Sequence, residues 1–88
     1  MLKSKQEIFE ILRGRAVELA PRNDFLRSKV EMNTSMSYMG YYDKFDIMHV
    51  ALDVAGRIGV TFNLGELNFT ERTTLGHIVE MLYSRQRP

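Results

Sequence analysis

At 88 residues, with 44% hydrophobic and 26% charged residues, the chain has the composition of one small globular domain (1–88) and not of a disordered segment. Its 12 basic and 11 acidic residues nearly cancel, and the basic ones are scattered rather than gathered on one face, which argues against a nucleic-acid partner. No cysteine is present, so disulfides, thiolate metal ligands and a cysteine nucleophile are excluded.

The stretch Met1–Glu7 has no apolar run of signal-peptide length, and no segment approaches the roughly 18–20 apolar residues of a membrane span. A soluble cytoplasmic protein is expected. Ser4-Lys5-Gln6-Glu7 has the form of a capping box, in which the Ser4 hydroxyl accepts from the Glu7 amide and the Glu7 carboxylate from the Ser4 amide. Ile8, Ile11, Leu12, Ala16 and Leu19 then recur at intervals of three and four, with Phe9 off the centre of their stripe. Pro21 biases Ala20 away from helical angles. The spacing predicts a helix over 4–20.

From Pro21 to Tyr42 no period holds. Loop signals at Asn23-Asp24, Asn33-Thr34-Ser35 and Gly40 alternate with Phe25, Leu26, Val30, Met32, Met36 and Met39. A long loop pinned by its own apolar residues is expected in preference to an extra helix at 24–32. Met32, Met36 and Met39 suit either core gaps or an adaptable contact surface.

Asp43 is placed to cap a second helix, with Asp46 in its first turn, both favoured by the positive end of the helix dipole. The helix should run to Ile58 and close at Gly59. Asp46, His49, Asp53 and Arg57 form a polar stripe. One apolar stripe holds Ile47, Val50, Ala51, Val54 and Ile58; a second holds Phe45, Met48, Leu52 and Ala55. So wide an apolar surface means either a central helix packed on two sides or a stripe offered to a partner.

Val60–Leu64 alternates apolar and polar, as a short strand or an extended segment, and Gly65 favours a loop. Glu66–Phe69 suits one helical turn. Thr73 is the expected cap of a last helix carrying Leu75, Ile78, Val79 and Leu82 on one face, with Gly76 weakening its start. Ile11, Leu12, Leu19, Val50, Val54, Ile58, Phe62, Ile78 and Leu82 are the predicted core. Arg85–Pro88 reads as a solvated tail.

This order of elements resembles the acyl and peptidyl carrier proteins. The residues that carry the resemblance are Asp43-Lys44-Phe45-Asp46, His49-Val50-Ala51-Leu52, Ile58-Gly59-Val60-Thr61-Phe62 and Thr73-Thr74-Leu75-Gly76-His77-Ile78. The spacing runs without a gap from Asp43 to Phe62. Met39-Gly40 looks like the family's Leu-Gly, one residue too far from the aspartate. The resemblance implies an all-α, four-helix carrier-like bundle of three main helices and a short one, with a long first loop.

It also implies where this chain departs. The family's serine after the aspartate carries 4′-phosphopantetheine through a phosphodiester, and here that position holds Lys44, whose amine cannot form one. Ser35 and Ser37 lie outside the attachment context. Phe45 replaces the usual leucine, and the strongly acidic face of carrier proteins becomes the mixed stripe of Asp46, His49, Asp53 and Arg57, which weakens electrostatic steering. Asp46 and His49 are three apart but lack a third metal ligand, and His77 reads as a surface residue. No Ser/His/Asp set, phosphate loop or paired-glycine fingerprint occurs, and no basic recognition helix follows a short turn.

The expectation is a non-enzymatic, carrier-like protein without prosthetic group or other cofactor, acting through protein–protein contacts. Its partner would be a carrier-recognising synthase, ligase or acyltransferase of fatty-acid, polyketide or nonribosomal-peptide biosynthesis. The expected docking surface is Asp43, Lys44, Phe45, Met48, His49 and Leu52. The alternatives are a true acyl or aminoacyl carrier with an unrecognised attachment residue, and a small helical domain that shares only the architecture.

Overall fold

The capping box forms as the sequence dictates. In the computed structural model, which describes residues 2–86, the Glu7 amide donates to Ser4 Oγ at 3.1 Å and the Ser4 amide to Glu7 Oε1 at 2.9 Å. They open helix α1 (Lys5–Glu18). It ends two residues short of the predicted 20, ahead of Pro21, which disfavours helical angles at Ala20. The Ala20 amide donates to the Val17 carbonyl, and the Tyr41 hydroxyl donates to the Ala16 carbonyl at 2.7 Å. Leu19, predicted as core, lies past the helix end and is 40% exposed. Burial, and then the nearby Asp46 carboxylate, pushes the Tyr41 hydroxyl up to about 12.

Helix α2 (Lys44–Ile58) begins at Asp43, whose carboxylate accepts from the Phe45 amide at 2.8 Å, and ends at Gly59 in the left-handed region (φ 78°). Helix α3 (Leu75–Ser84) begins one residue later than expected. Thr74 is its cap, and His77 closes a second capping box with its ring in place of the usual carboxylate: the Thr74 amide donates to Nδ1 and the His77 amide to Thr74 Oγ1, both at 3.1 Å. The buried Thr73 instead accepts from the Thr70 amide and shapes the turn before the helix.

Among the described residues there are three α-helices and no strand, so the four-helix count is corrected to three. Between α2 and α3 the one helical element among the described residues is a 3₁₀ turn at Leu64–Glu66, ahead of the 66–69 turn that was expected. Val60–Asn63 forms no strand. The long connection is a loop, as expected, with 3₁₀ turns at Arg27–Lys29 and Met36–Met39 and no helix over 24–32.

That loop is built into the body. Its carbonyls at Met32 and Thr34 accept from the first two amides of α3, Gly76 at 2.7 Å and Leu75 at 3.1 Å, and its Met36 amide donates to Thr73 at 2.8 Å. Ser35 and Thr74 form an isolated antiparallel bridge. Met36 and Met39 are fully buried and Met32 packs against the core, so these methionines fill the interior rather than a contact surface.

Helix α1 packs on both α3 and α2 and is the element on which the other two assemble. Ile8, Leu12 and Ala16 meet Val50, Val54, Ile78 and Leu82 in the core, with Ile11, Ile58 and Phe62 partly buried around it. Phe9, off-centre by periodicity, is buried as well. The supposed C-terminal tail is tied down as far as it is described: Arg85 pairs with Glu66, and the Gln86 amide group exchanges two hydrogen bonds with the Lys3 backbone at 2.8 and 2.9 Å. Arg87 and Pro88 lie outside the described residues.

Two glycine substitutions should have opposite signs. A Cβ at Gly76 would stand 2.9 Å from the Met32 carbonyl oxygen, a backbone atom that cannot swing aside. Gly76→Ala is expected to destabilise by about 1–3 kcal/mol. A Cβ at Gly14, inside α1, meets nothing within 4 Å, and Gly14→Ala is expected to stabilise by ~0.5–1 kcal/mol. Denaturant midpoints at unchanged slope measure both.

Candidate surface at the start of the second helix

The cap sets this surface. With Asp43 turning the chain into α2, Lys44 and Phe45 occupy the first two helical positions and project from its open end. Phe45 is 63% exposed, a large fraction for an aromatic ring, and the Lys44 ammonium lies 5.4 Å from the ring centroid. A cation in the first helical turn opposes the helix dipole, a cost that Asp43 and Asp46 offset. Lys44 is therefore not placed there by the needs of the helix.

The second apolar stripe is divided by depth. Phe45 is exposed, Leu52 lies at the edge of exposure, Met48 packs against the core, and Ala55 is buried. Of the six expected docking residues, Asp43, Lys44, Phe45, His49 and Leu52 are exposed and Met48 is half-buried. Tyr42 belongs with them: it is 59% exposed, and its hydroxyl accepts from Arg22 at 3.4 Å. Sequence reading passed over it because nothing distinguishes Tyr42 from Tyr41 except which way the backbone turns at the cap. Arg22 is further oriented by Asp24, which accepts from it at 2.8 and 3.0 Å.

The polar stripe of α2 is also divided. Asp53 accepts from Arg15 of α1 at 2.8 Å and from Arg57, one turn on, at 3.0 Å. It is a strut between helices rather than a steering charge. Asp46 and His49 face a shallow depression of about 250 Å³ with Leu19, Pro21, Tyr41 and Val50. No cluster of three potential metal ligands occurs among the described residues. Ser35 is held in the bridge to Thr74 at the start of α3, away from the α2 cap in the hydrogen-bond scheme. His77 is exposed and serves the α3 cap.

No helix is long and apolar enough to cross a membrane among the described residues. Comparison with family models, with curated proteins and with solved structures gives no match.

The Asp53 strut gives a pH dependence. Partial burial pushes its carboxyl up, but the hydrogen bonds from Arg15 and then Arg57 outweigh this, and the group is held below the usual carboxylate value of 3.8. A carboxyl lowered by folding contributes stability above its unfolded pKa, and the contribution is lost as the pH falls through the folded value. Asp53→Asn should therefore lower the melting temperature at pH 7 and flatten its decline below about pH 4, which melting curves across that range measure.

Proposed function

We propose that this chain is a carrier-like domain without a prosthetic group, which works by docking through the open end of α2 onto an enzyme that recognises carrier domains. The observation that carries the reading is the pair Lys44–Phe45 immediately after the Asp43 cap. An exposed aromatic ring stands where the resemblance puts a docking residue, and an exposed ammonium stands where it puts the attachment hydroxyl. Further support comes from the order of elements. A long first helix, a long packed loop, a second helix starting at the aspartate and a last helix capped by threonine follow the carrier pattern, with a single 3₁₀ turn in place of its short third helix.

The chemistry follows from the side chains. A phosphopantetheinyl transferase needs a hydroxyl to attack the pyrophosphate of coenzyme A, and the nitrogen of Lys44 cannot form the phosphodiester that a serine oxygen forms. The domain would then hold a carrier-binding enzyme without delivering an acyl group, as a scaffold, an allosteric support or an occupant of the carrier site. Phe45 and Tyr42 would supply the apolar anchor, with Asp43, Lys44 and His49 at its rim; most interface energy resides in a few such residues.

Incubation with coenzyme A and a broad-specificity phosphopantetheinyl transferase, followed by intact mass, tests this. The natural chain should remain unmodified, and Lys44→Ser should gain one phosphopantetheine. In the Lys44→Ser background, Phe45→Ala should slow modification at least fivefold while leaving the melting temperature unchanged, about 1 kcal/mol of lost docking energy. An adduct on the natural chain would restore the true-carrier alternative. Failure of Lys44→Ser to be modified would remove the carrier reading.

A further inference from the structure

The outermost ridge of α2 carries no Asp, Glu, Lys or Arg over three turns. At about 100° per residue, Phe45, Leu52 and Gly56 lie within about 20° of one line, opposite the buried Val54, with Met48 and His49 on either side. Phe45, His49, Leu52 and Gly56 are exposed. A surface helix ordinarily carries its charged residues along this line. Here they flank it: Asp46, Asp53 and Arg57 on the side of His49, and Lys44 on the side of Met48.

Three residues of this face are unexplained by the folding of one copy. Gly56 lies inside α2, where glycine is a poor helix former, and a Cβ there would meet nothing within 4 Å, so no neighbour in the chain requires the space. Lys44 stands at the positive end of its own helix dipole. The Asp46 carboxylate has no ion-pair partner among the described residues.

A second α2 running the other way answers all three. Phe45 is a knob and Gly56 a notch, about 16 Å apart on one face. A twofold axis midway between them places the Phe45 ring of each copy over Gly56 of the other, and His49 against Leu52. The same axis keeps like flanks together. On one flank Asp46 of each copy comes level with Arg57 of the other, whose hydrogen bond to Asp53 uses Nε and leaves the terminal nitrogens to a second carboxylate. On the other flank Lys44 comes level with the carbonyl end of the second α2 beside Gly59, where the dipole favours a cation. Lys44 and Arg57 lie on opposite flanks, so their like charges do not meet. We propose that this chain pairs with a second copy of itself through α2, antiparallel and about a twofold axis. One helix pair covers no more than the lower end of specific interfaces, about 1,200 Å² in total, so the pair is dissociable and half-formed at roughly 0.1 mM. Pairing covers Lys44 and Phe45 and closes the docking surface proposed above until a partner competes, but it rests on the ridge and not on the carrier reading.

Sedimentation equilibrium of the natural chain from about 10 μM to about 1 mM tests this: the mass should rise from one copy toward two. Gly56→Gln, which fills the notch while favouring the helix, should weaken association at least tenfold without lowering the melting temperature of the dilute protein. Phe45→Ala should weaken it at least fivefold. Orientation is read with a nitroxide on Tyr42→Cys, the only cysteine of that variant, in an unlabelled copy mixed with isotope-labelled natural chain. The amides of Gly56 and Gly59 should broaden. The inference is overturned if the mass stays at one copy throughout, which would leave the ridge to a helix of another protein. It is also overturned if Gly56→Gln associates like the natural chain, or if the nitroxide broadens residues 43–46 instead, which would make the pair parallel. None of these measurements involves a transferase, so this inference and the carrier reading fail separately.

Discussion

The start of α3 is held by carbonyls from the other half of the chain, and the arrangement of the molecule follows from that. A ten-residue helix has little stability by itself. Here its leading amides are all satisfied: Leu75 by Thr34, Gly76 by Met32, and His77 by Thr74 within the cap. The contact fixes the path of the loop as firmly as it fixes the helix. Between these anchor points and the α2 cap, Met36, Met39 and Tyr41 are drawn into the core. Tyr41 then donates to the Ala16 carbonyl in the last turn of α1. One close backbone approach, possible only because residue 76 lacks a Cβ, thus couples α3, the loop and the end of α1.

A loop so used cannot also be a mobile lid. Its aromatic residues pack on each other, Phe25 meeting Tyr38 edge-on at 5.9 Å, and the Tyr38 hydroxyl accepts from the Leu26 amide at 3.2 Å. At its end the loop leaves Tyr42 exposed just ahead of the Asp43 cap, and along its first half it carries the exposed Arg27–Lys29 turn.

Local chemistry was legible wherever a few adjacent residues decide it. Ser4 with Glu7, Asp43 with the Phe45 amide and Gly59 after Ile58 are each settled within a turn of chain, and each appears as the sequence determined it. The apolar periods likewise determined which faces of α1, α2 and α3 are inward at Leu12, Val50, Val54, Ile78 and Leu82. They also marked α2 as carrying more apolar surface than one contact can cover.

What only the tertiary structure decided depended on groups distant in sequence. Whether Leu19 is core turned on where α1 ends, and which of Tyr41 and Tyr42 is buried turned on the chain's direction at the Asp43 cap. Whether Asp53 steers a partner or braces the fold turned on Arg15 from another helix. Gly76 read as a weakness in a helix, because a sequence records a missing side chain but not what approaches the space it leaves. Caps and periods are short-range and follow from neighbouring residues. Depth, ion-pair partners and grooves arise from the meeting of separate elements, and no window of the sequence contains both sides of that meeting.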